Sequence, residues 1–440
     1  RPGDFVIEND RIRVAILGER PSMGNHTEGG SILDADLQRA NPRYSKGRGN
    51  DHLSEMFTSV NLEVARIRSD AGEVKVIKNG KGGDEARICT VGDGQGFISM
   101  LDAVKTFLGE FRLRTDYILK PGKSALKIRT YVDPSMSVTC DEPMPASLPV
   151  RYQHEPIPLI DVIMDNGFAA GDFTLFGGAV DVFVPGVGFD EAAYVDELKK
   201  AEVNTFVDPI VAPYLAGTAD GVSYAFMADK GSLSIPMFTG SQTAGFGGYL
   251  TKDDIAEGQP FHYDRWLSIG HGDIGTALSG VLKATNKKRG RLEGWIVEKG
   301  TGVALSDVHV FAYRPGDQGP WSEWTTDVGD DTTDDGSFGG HLPPGRYDLV
   351  VHAPGRPTGP RVPVTIRKGK TTKVILESPR PGSVEFEIVG EDGRLLPGKV
   401  SFFTADGTDV RRTDLGDGRI GGHPAEVTFA PYGTGEAVLP

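Results

Sequence analysis

Long apolar runs are missing from this sequence of 440 residues. No segment approaches the roughly 18–20 consecutive apolar residues that cross a bilayer as a helix, so no membrane-spanning helix is predicted. Positive charge is also in short supply, with 47 basic against 61 acidic residues and a net charge of −14. Because nucleic acid and anionic membranes repel a negative surface, neither is an expected partner.

Cysteine is scarce as well, with only Cys89 and Cys140. In an exported protein the two thiols could form one disulfide that closes a loop of about 50 residues. Two buried free thiols are the alternative, and the sequence leaves both open. The first strand begins within a few residues of Arg1, which leads us to expect an export segment upstream of it.

The spacings that mark common active sites are absent. There is no G-x-S-x-G, no H-E-x-x-H, no phosphate-binding loop and no paired C-x-x-C. No two of the nine histidines stand in the H-x-H or H-x-x-x-H spacing that places two imidazoles on one metal. They are His26, His52, His154, His262, His271, His309, His341, His352 and His423. The glycine-rich "GDGQG" at 92–96 predicts a loop. No catalytic residue follows from these patterns, and whether the chain is an enzyme stays open.

Alternation of apolar and polar residues dominates what is present. "FRLRTDYIL" and "ALKIRTYV" alternate on either side of "KPGK", where Pro121 and Gly122 favour a tight turn, so they predict a hairpin. The high glycine content, 59 residues, also favours many turns. The predicted fold is therefore mainly β. Further strands are predicted at 11–17, 57–67, 73–78, 85–91, 173–184, 222–228, 232–238 and 261–269.

Helical spacing is confined to two segments. Residues 190–201 carry acidic residues in their first turn, and residues 273–284 place apolar side chains on one face behind Asp273 as a cap. Asp273 also lies close in sequence to Ser268 and His271. A catalytic triad needs such residues to converge in space, and a helix cap explains Asp273 more simply.

A small unit is repeated in the last third of the chain. Val297 and Val308 are separated by 11 residues, as are Val389 and Val400, within the same order of strand, turn and strand. We therefore predict a large β-sandwich over residues 1–290 and two small sandwiches over 291–380 and 381–440. The second copy stops where the first begins "GRYDLVV", which leads us to expect an incomplete sandwich within a longer polypeptide.

Three groups of residues are candidates for binding. Asp34 and Asp36 lie on one face of a predicted strand, where paired carboxylates could carry out acid–base chemistry if their pKa values differ. Four aromatic residues, Phe246, Tyr249, Tyr263 and Trp266, occupy a glycine-rich region and could stack on a sugar ring. Calcium, the one cofactor considered, would bind acidic residues of the loop 327–338. These are Asp327, Asp330, Asp331, Asp334 and Asp335.

Several stretches resemble a known family. "GDFVIENDRIRVAILG", "GGSILDADL", "DVFVPGVGFDE" and "LSIGHGDIGTAL" are similar to the β-rich region of exported myxobacterial-type proteins. In those proteins, carboxypeptidase-regulatory-like, Ig-like or transthyretin-like sandwiches, which "TDDGSFGGHLPPGRYDLVVHAPG" resembles, precede a PHP-type metallohydrolase domain of the CehA/McbA kind. "LKPGKSALKIRTYV" resembles a strand pair of galactose-mutarotase-like supersandwiches. The resemblance implies a carbohydrate-recognising sandwich at 1–290. The H-x-H motifs of the hydrolase are absent, so no catalytic residue is transferred.

Three functional hypotheses follow. The first is an extracytoplasmic, non-catalytic β-scaffold at the cell surface or secreted, accessory to a downstream metallohydrolase domain, with polysaccharide as a candidate partner. The second is a structural or adhesive surface protein that associates with copies of itself through open strand edges. The third is a carboxylate-based enzyme that acts on carbohydrate in the first domain.

Overall fold

The computed structural model describes most of the chain. The described residues are 2–22, 28–39, 52–60, 63–96, 110–143, 168–176, 180–189, 210–235, 237–239, 243–245, 249–250, 259–285, 287–328, 334–353, 356–402 and 426–439. Two compact units are present: Arg1–Pro185 with Tyr194–Lys287, and Gly186–Ala193 with Lys288–Pro440. The change of unit at Lys287 lies close to the predicted boundary at 290.

Strands make up most of the described residues of both units, which confirms the mainly β prediction. In the first unit they are β1 Phe5–Glu8, β2 Ile12–Ile16, β3 Ile32–Leu37, β4 Leu53–Val60, β5 Glu63–Arg66, β6 Glu73–Asn79, β7 Ala86–Gly96, β8 Arg112–Leu119, β9 Ala125–Asp133, β10 Phe168–Phe176, β11 Asp181–Phe183, β12 Ile210–Ala212, β13 Leu215–Ala219, β14 Val222–Ala228, β15 Leu233–Ile235, β16 Met237–Thr239, β17 Thr243–Gly245, β18 Tyr249–Leu250 and β19 Phe261–Gly270. A 3-10 turn spans Lys81–Gly83 and one α-helix, α1, spans Ile274–Ala284.

The second unit continues with eleven more strands among its described residues. They are β20 Gly290–Glu298, β21 His309–Tyr313, β22 Ser322–Thr325, β23 Ser337–Leu342, β24 Gly345–His352, β25 Val362–Ile366, β26 Thr371–Ser378, β27 Gly382–Glu387, β28 Gly398–Phe402, β29 Glu426–Ala430 and β30 Thr434–Leu439. Within the described parts of both units, the pairing of β20 with β26 is parallel and the other strand pairings are antiparallel.

The first unit is built on a large antiparallel sheet that folds into two facing layers. One layer contains β7–β8–β9–β19–β14, and the other contains β4 paired with β10. Thr58 of β4 meets Thr130 of β9 across the interior, with their hydroxyl oxygens 3.5 Å apart. Apolar side chains from both layers fill the rest of the interior, including Phe111, Leu113, Val132 and Phe261.

The predicted hairpin over 111–132 is confirmed. Strand β8 pairs with β9, and Gly122 in the connecting turn has a φ of 67°, a conformation that glycine adopts without strain. Alternation had indicated one buried face, but Arg114 and Asp116, between the apolar positions of β8, are buried too. This strand is therefore covered on both sides.

One predicted loop and three predicted strands are corrected within this unit. The segment 92–96, predicted as a loop, is the second half of β7. Its glycines permit the close approach of a neighbouring strand. A Cβ atom at Gly92 would lie 2.1 Å from the Arg66 carbonyl oxygen and collide with it. Each of the single strands predicted at 57–67, 173–184 and 232–238 is two strands. The predicted helix 190–201 lies outside the described residues.

Helix α1 confirms the second helical prediction. Asp273 is its N-cap, and its carboxylate accepts a hydrogen bond from the Thr276 amide at 2.6 Å. Ile274, Ala277, Leu278 and Val281 are buried against the sheet. The hydroxyl of Ser268, near the end of β19, donates to the Ser124 carbonyl oxygen. Asp273 and Ser268 thus have structural partners and do not form a triad with His271.

The first small sandwich of the second unit packs a three-stranded sheet, β23–β20–β26, on a four-stranded sheet, β22–β21–β24–β25. Trp324 of β22 is fully buried and meets Phe338 of β23, with ring centroids 6.2 Å apart. The Tyr347 hydroxyl donates to the Pro343 carbonyl oxygen at 3.0 Å and so fixes the corner before β24.

The strands that follow repeat the order of this sandwich. β27 pairs with β30 as β20 pairs with β23, and β28 pairs with β29 as β21 pairs with β22. Isolated bridges also recur, Val297 with Ala304 and Val389 with Leu395. The internal repeat seen in the sequence is thus a repeat of strand pairing.

Candidate functional site

A polar surface covers the outer side of β9 and β19 in the first unit. The antiparallel register places Lys127 opposite Trp266, Arg129 opposite Asp264, and Tyr131 opposite His262. Because facing residues of an antiparallel pair project to the same side, these six side chains share one surface. We call it the Asp264 face.

Two cations hold the carboxylate at its centre. Arg129 donates from Nε to Oδ1 of Asp264 at 2.6 Å and from Nη2 to Oδ2 at 2.8 Å, while Lys127 Nζ lies 2.6 Å from Oδ2. Burial would raise the pKa of Asp264, but these hydrogen bonds and charges outweigh it and lower the pKa to about 2. An acid–base catalyst works best with a pKa near the working pH. Asp264 is therefore suited to serve as a fixed hydrogen-bond acceptor.

Trp266 lies partly exposed beside this ion cluster. Its indole Nε1 donates to Oδ1 of Asp229 at 3.2 Å, which fixes the orientation of the ring. Lys127 Nζ stands 5.7 Å from the ring centroid, within range of a cation–π contact. A rigid aromatic surface next to charged hydrogen-bonding groups can stack on the apolar side of a sugar ring while those groups bind its hydroxyls.

His262 forms the far end of the face and lies against the buried ring of Tyr131. Their rings stack with centroids 5.4 Å apart and an interplanar angle of 16°. Burial and the nearby Arg129 charge lower the pKa of His262. The imidazole is therefore neutral at pH 7 and, like Trp266, offers a flat ring that carries a polar edge.

The segment 133–142, which we call the strap, limits the face on the side of β7 and β8. The Asp133 carboxylate accepts hydrogen bonds from the amides of Ser135, Ser137 and Val138, and buried Arg114 donates to the carbonyl oxygens of Thr139 and Glu142. A disulfide joins Cys89 of β7 to Cys140 of the strap, with the sulfur atoms 2.07 Å apart. Of the two states that the sequence left open for the cysteines, the structure has the disulfide.

A second Arg–Asp pair lies behind the Asp264 face, inside the sandwich. Buried Arg265 forms a bidentate pair with buried Asp172 and donates to Thr130 Oγ1 at 2.8 Å and to Thr58 Oγ1. Its guanidinium lies 4.5 Å from the ring centroid of Tyr263. Both Arg265 and Tyr263 point inward because they alternate with Asp264 along β19.

The predicted aromatic cluster is therefore corrected. Tyr263 is buried in the interior and Trp266 projects from the opposite face of the same strand, so the two rings do not share a site. Phe246 lies outside the described residues, and of Tyr249 only the backbone, in β18, is described. The sequence did not single out Lys127, Arg129 or Asp264. These three residues come together only because β9 pairs with β19, a strand distant in sequence.

Asp34 and Asp36 alternate with Ala35 along β3 and so lie on one face of it, with Asp36 buried and Asp34 half-buried. Asp36 binds Arg39, with Nη2 2.8 Å from Oδ1, and the same guanidinium donates to the Gly221 carbonyl oxygen. Burial and the charge of Asp36 raise the pKa of Asp34. The two carboxylates thus stand in different environments, one held in an ion pair and one disposed to take up a proton.

The acidic loop is described only in part. Asp327 accepts hydrogen bonds from the amides of Gly336 and Ser337, and Asp335 accepts a second one from Ser337. These carboxylates organise the turn before β23. Asp334 is exposed, and Asp330 and Asp331 lie outside the described residues. The part of the chain that the structure describes contains no cluster of three or more metal-ligating side chains, and calcium binding stays a prediction.

Comparisons with known proteins give distant likenesses. No family model and no curated protein matches the chain. Among solved structures, Slr1438 from Synechocystis sp. PCC 6803 is similar at 10% identity and a TM-score of 0.31, over 61% of this chain and 96% of that one. A putative aldose 1-epimerase from Klebsiella pneumoniae matches at 12% identity and a TM-score of 0.29, over 63% and 81%. A streptococcal ancillary pilin matches at 12% identity and 0.22, over 57% and 75%. Likenesses this distant assign no ligand or reaction.

Among the described residues, no helix has the length and apolarity needed to cross a membrane.

Proposed function

We propose that this protein is a non-catalytic β-scaffold that binds polysaccharide through the Asp264 face. The observation that carries the proposal is the partly exposed Trp266 ring, fixed by Asp229, next to the Lys127–Asp264–Arg129 cluster. Stacking and directed hydrogen bonds are the two interactions by which proteins bind sugar rings.

The charge balance of this face favours a neutral glycan. Lys127 and Arg129 both form ion pairs with Asp264, and Asp229 accepts a hydrogen bond from the indole of Trp266. Little net charge is then left to attract an ionic ligand, whereas the outer edges of the cations can still donate to sugar hydroxyls.

An extracytoplasmic location forms part of the proposal. The Cys89–Cys140 disulfide supports it, because disulfides persist in oxidising compartments and are rare in the cytosol. We further propose that the scaffold is accessory to a metallohydrolase domain of the same polypeptide, on the basis of the sequence resemblance alone.

The experiment is affinity electrophoresis on neutral polysaccharides, including β-glucans, galactans and mannans. We expect one of them to retard the protein, and Trp266→Ala to weaken that retention about tenfold. Tyr432→Ala is the matched control, since Tyr432 is an exposed aromatic residue of the second unit. Equal retention of the wild type and Trp266→Ala on every glycan that binds would refute the proposal.

The Asp34–Asp36 pair supports a second candidate, a carboxylate-based enzyme acting on carbohydrate. The raised pKa of Asp34 beside the ion-paired Asp36 is the feature that favours it. Reducing-sugar release from the same glycan panel tests this candidate. Activity that disappears in Asp34→Asn with the fold intact would support it, and no release from any glycan would count against it.

A further inference from the structure

The outer side of the β23–β20–β26 sheet in the second unit carries a second partly exposed tryptophan. The parallel register sets Glu293 beside Lys373 and Trp295 beside Ile375, and β23 places small residues, Ser337 and Gly339, on the other flank. Lys373 Nζ stands 5.9 Å from the Trp295 ring centroid. We call this surface the Trp295 face.

Basic residues gather at the end of this face where β20 begins. The turn between β25 and β26 is tied to the chain before β20, because the Gly369 amide donates to the Arg289 carbonyl oxygen and the Arg291 amide donates to that of Lys370, both at 2.8 Å. Two segments about 80 residues apart in sequence thus merge their charges. The resulting basic end comprises Lys288, Arg289, Arg291, Arg367, Lys368, Lys370 and Lys373.

The Glu293 carboxylate contacts two members of this cluster. It lies 2.9 Å from Arg291 Nε and 3.5 Å from Lys373 Nζ. Arg367, Lys368 and Lys370 are exposed, so several positive charges face solvent together at this end of the sheet. In a chain whose net charge is −14, such a local excess of positive charge stands out against the rest of the surface.

We propose that the Trp295 face and the basic end together bind an acidic polysaccharide, one whose sugar rings carry carboxylate or sulfate groups. The cations bind these groups, and the Trp295 ring stacks on a neighbouring sugar. Charge complementarity fixes the sign of the partner. The ring beside Lys373 favours a glycan over an anionic polymer that lacks rings.

Nucleic acid is the less favoured partner. The chain as a whole carries a net charge of −14, which repels a densely charged polyanion such as a DNA duplex. This inference stands apart from the proposed function, because it concerns the second unit, different residues and acidic in place of neutral glycans.

The experiment measures binding of the full chain to polygalacturonate, dextran sulfate, neutral dextran, poly-L-glutamate and a DNA duplex by biolayer interferometry. The test variant is the triple substitution Lys368→Gln, Lys370→Gln and Lys373→Gln. Its control removes the same charge from exposed lysines of the first unit, Lys81→Gln, Lys120→Gln and Lys123→Gln. Trp295→Ala tests stacking, and Trp266→Ala keeps the result separate from the proposed function.

We expect polygalacturonate, dextran sulfate or both to bind, and the triple variant to lose about tenfold in affinity, since each exposed pair contributes modestly. The control triple and Trp266→Ala should stay within about twofold of the wild type, a margin within the scatter of exposed pairs. Trp295→Ala should weaken the glycan about fivefold or more, in line with the energy of one aromatic contact, while leaving poly-L-glutamate unchanged. The glycan that binds identifies the anionic group.

Several results would overturn the inference. Equal affinity of the test and control triples would show that the basic end is not the site. Binding of poly-L-glutamate or DNA as tight as that of the acidic glycans would show charge attraction without recognition of sugars. Absence of binding to both acidic glycans would reject the site altogether.

Discussion

Two arginine–aspartate pairs that involve neighbouring residues of β19 differ in their burial. Arg265 points inward to Asp172, where both side chains are excluded from water. Asp264 points outward to Arg129 and Lys127, whose side chains retain 32% and 22% of their exposure. Each partner of the inner pair is needed for stability, because loss of one leaves an unpaired buried charge, which destabilises the fold. The outer pair keeps its charges in reach of a ligand, and the comparison predicts which substitutions change stability and which change binding.

The largest effect should come from Asp172→Ala. It leaves Arg265 buried without its counter-ion, and we expect a loss of about 3–5 kcal/mol in the free energy of unfolding. Urea denaturation followed by circular dichroism measures it. The double substitution Asp172→Leu with Arg265→Met should cost less than Asp172→Ala. If Asp172→Ala costs no more than Asp264→Ala, burial does not distinguish the two pairs.

Loss of the disulfide should come next. Replacing Cys89 and Cys140 by serine frees the strap beside the Asp264 face, and the loop it closes spans 51 residues. We expect a loss of about 2–4 kcal/mol, with the larger share caused by the less restricted unfolded chain. Calorimetry of the oxidised, reduced and serine forms checks this, and unchanged melting on reduction would contradict it.

A smaller, pH-dependent effect is expected at Asp264. Its pKa lies near 2 in the folded protein against an ordinary value of 3.8, so its stabilisation is present above about pH 4 and is lost as the pH falls towards 2. Asp264→Asn should cost about 1–2 kcal/mol at pH 6. Unfolding free energies at pH 6, 4 and 3 should converge between wild type and variant as the pH falls. A constant difference across this range would assign the cost to packing instead.

The smallest effect should follow from Lys127→Gln. Arg129 still holds both carboxylate oxygens of Asp264, so we expect less than about 0.5 kcal/mol in stability. The same substitution removes a hydrogen-bond donor next to Trp266 and should weaken glycan binding measurably. A variant with lower stability and unchanged binding would reverse the roles given to the outer pair.

Local patterns in the sequence predicted the elements well where one segment decides them. The hairpin around Gly122 and the Asp273 cap both depend on residues close together in the chain. The strand through 92–96 was missed because its glycines serve close backbone approach to Arg66, which no local pattern shows.

The candidate sites were less accessible to sequence reasoning. Trp266 was singled out, but its partners Lys127 and Arg129 lie about 140 residues earlier and meet it only through the β9–β19 register. The basic end likewise arises when the β25–β26 turn reaches Arg289 and Arg291. The distribution of charged residues along the sequence does not show these contacts, because they arise from the pairing of distant strands.

The most direct test of binding at the Asp264 face is the nuclear magnetic resonance spectrum of the four indole N–H groups during titration with the neutral glycan that retards the protein. We expect the Trp266 signal to shift and saturate, while the signals of buried Trp321 and Trp324 stay in place. A titration in which binding occurs and the Trp266 signal does not move would contradict it.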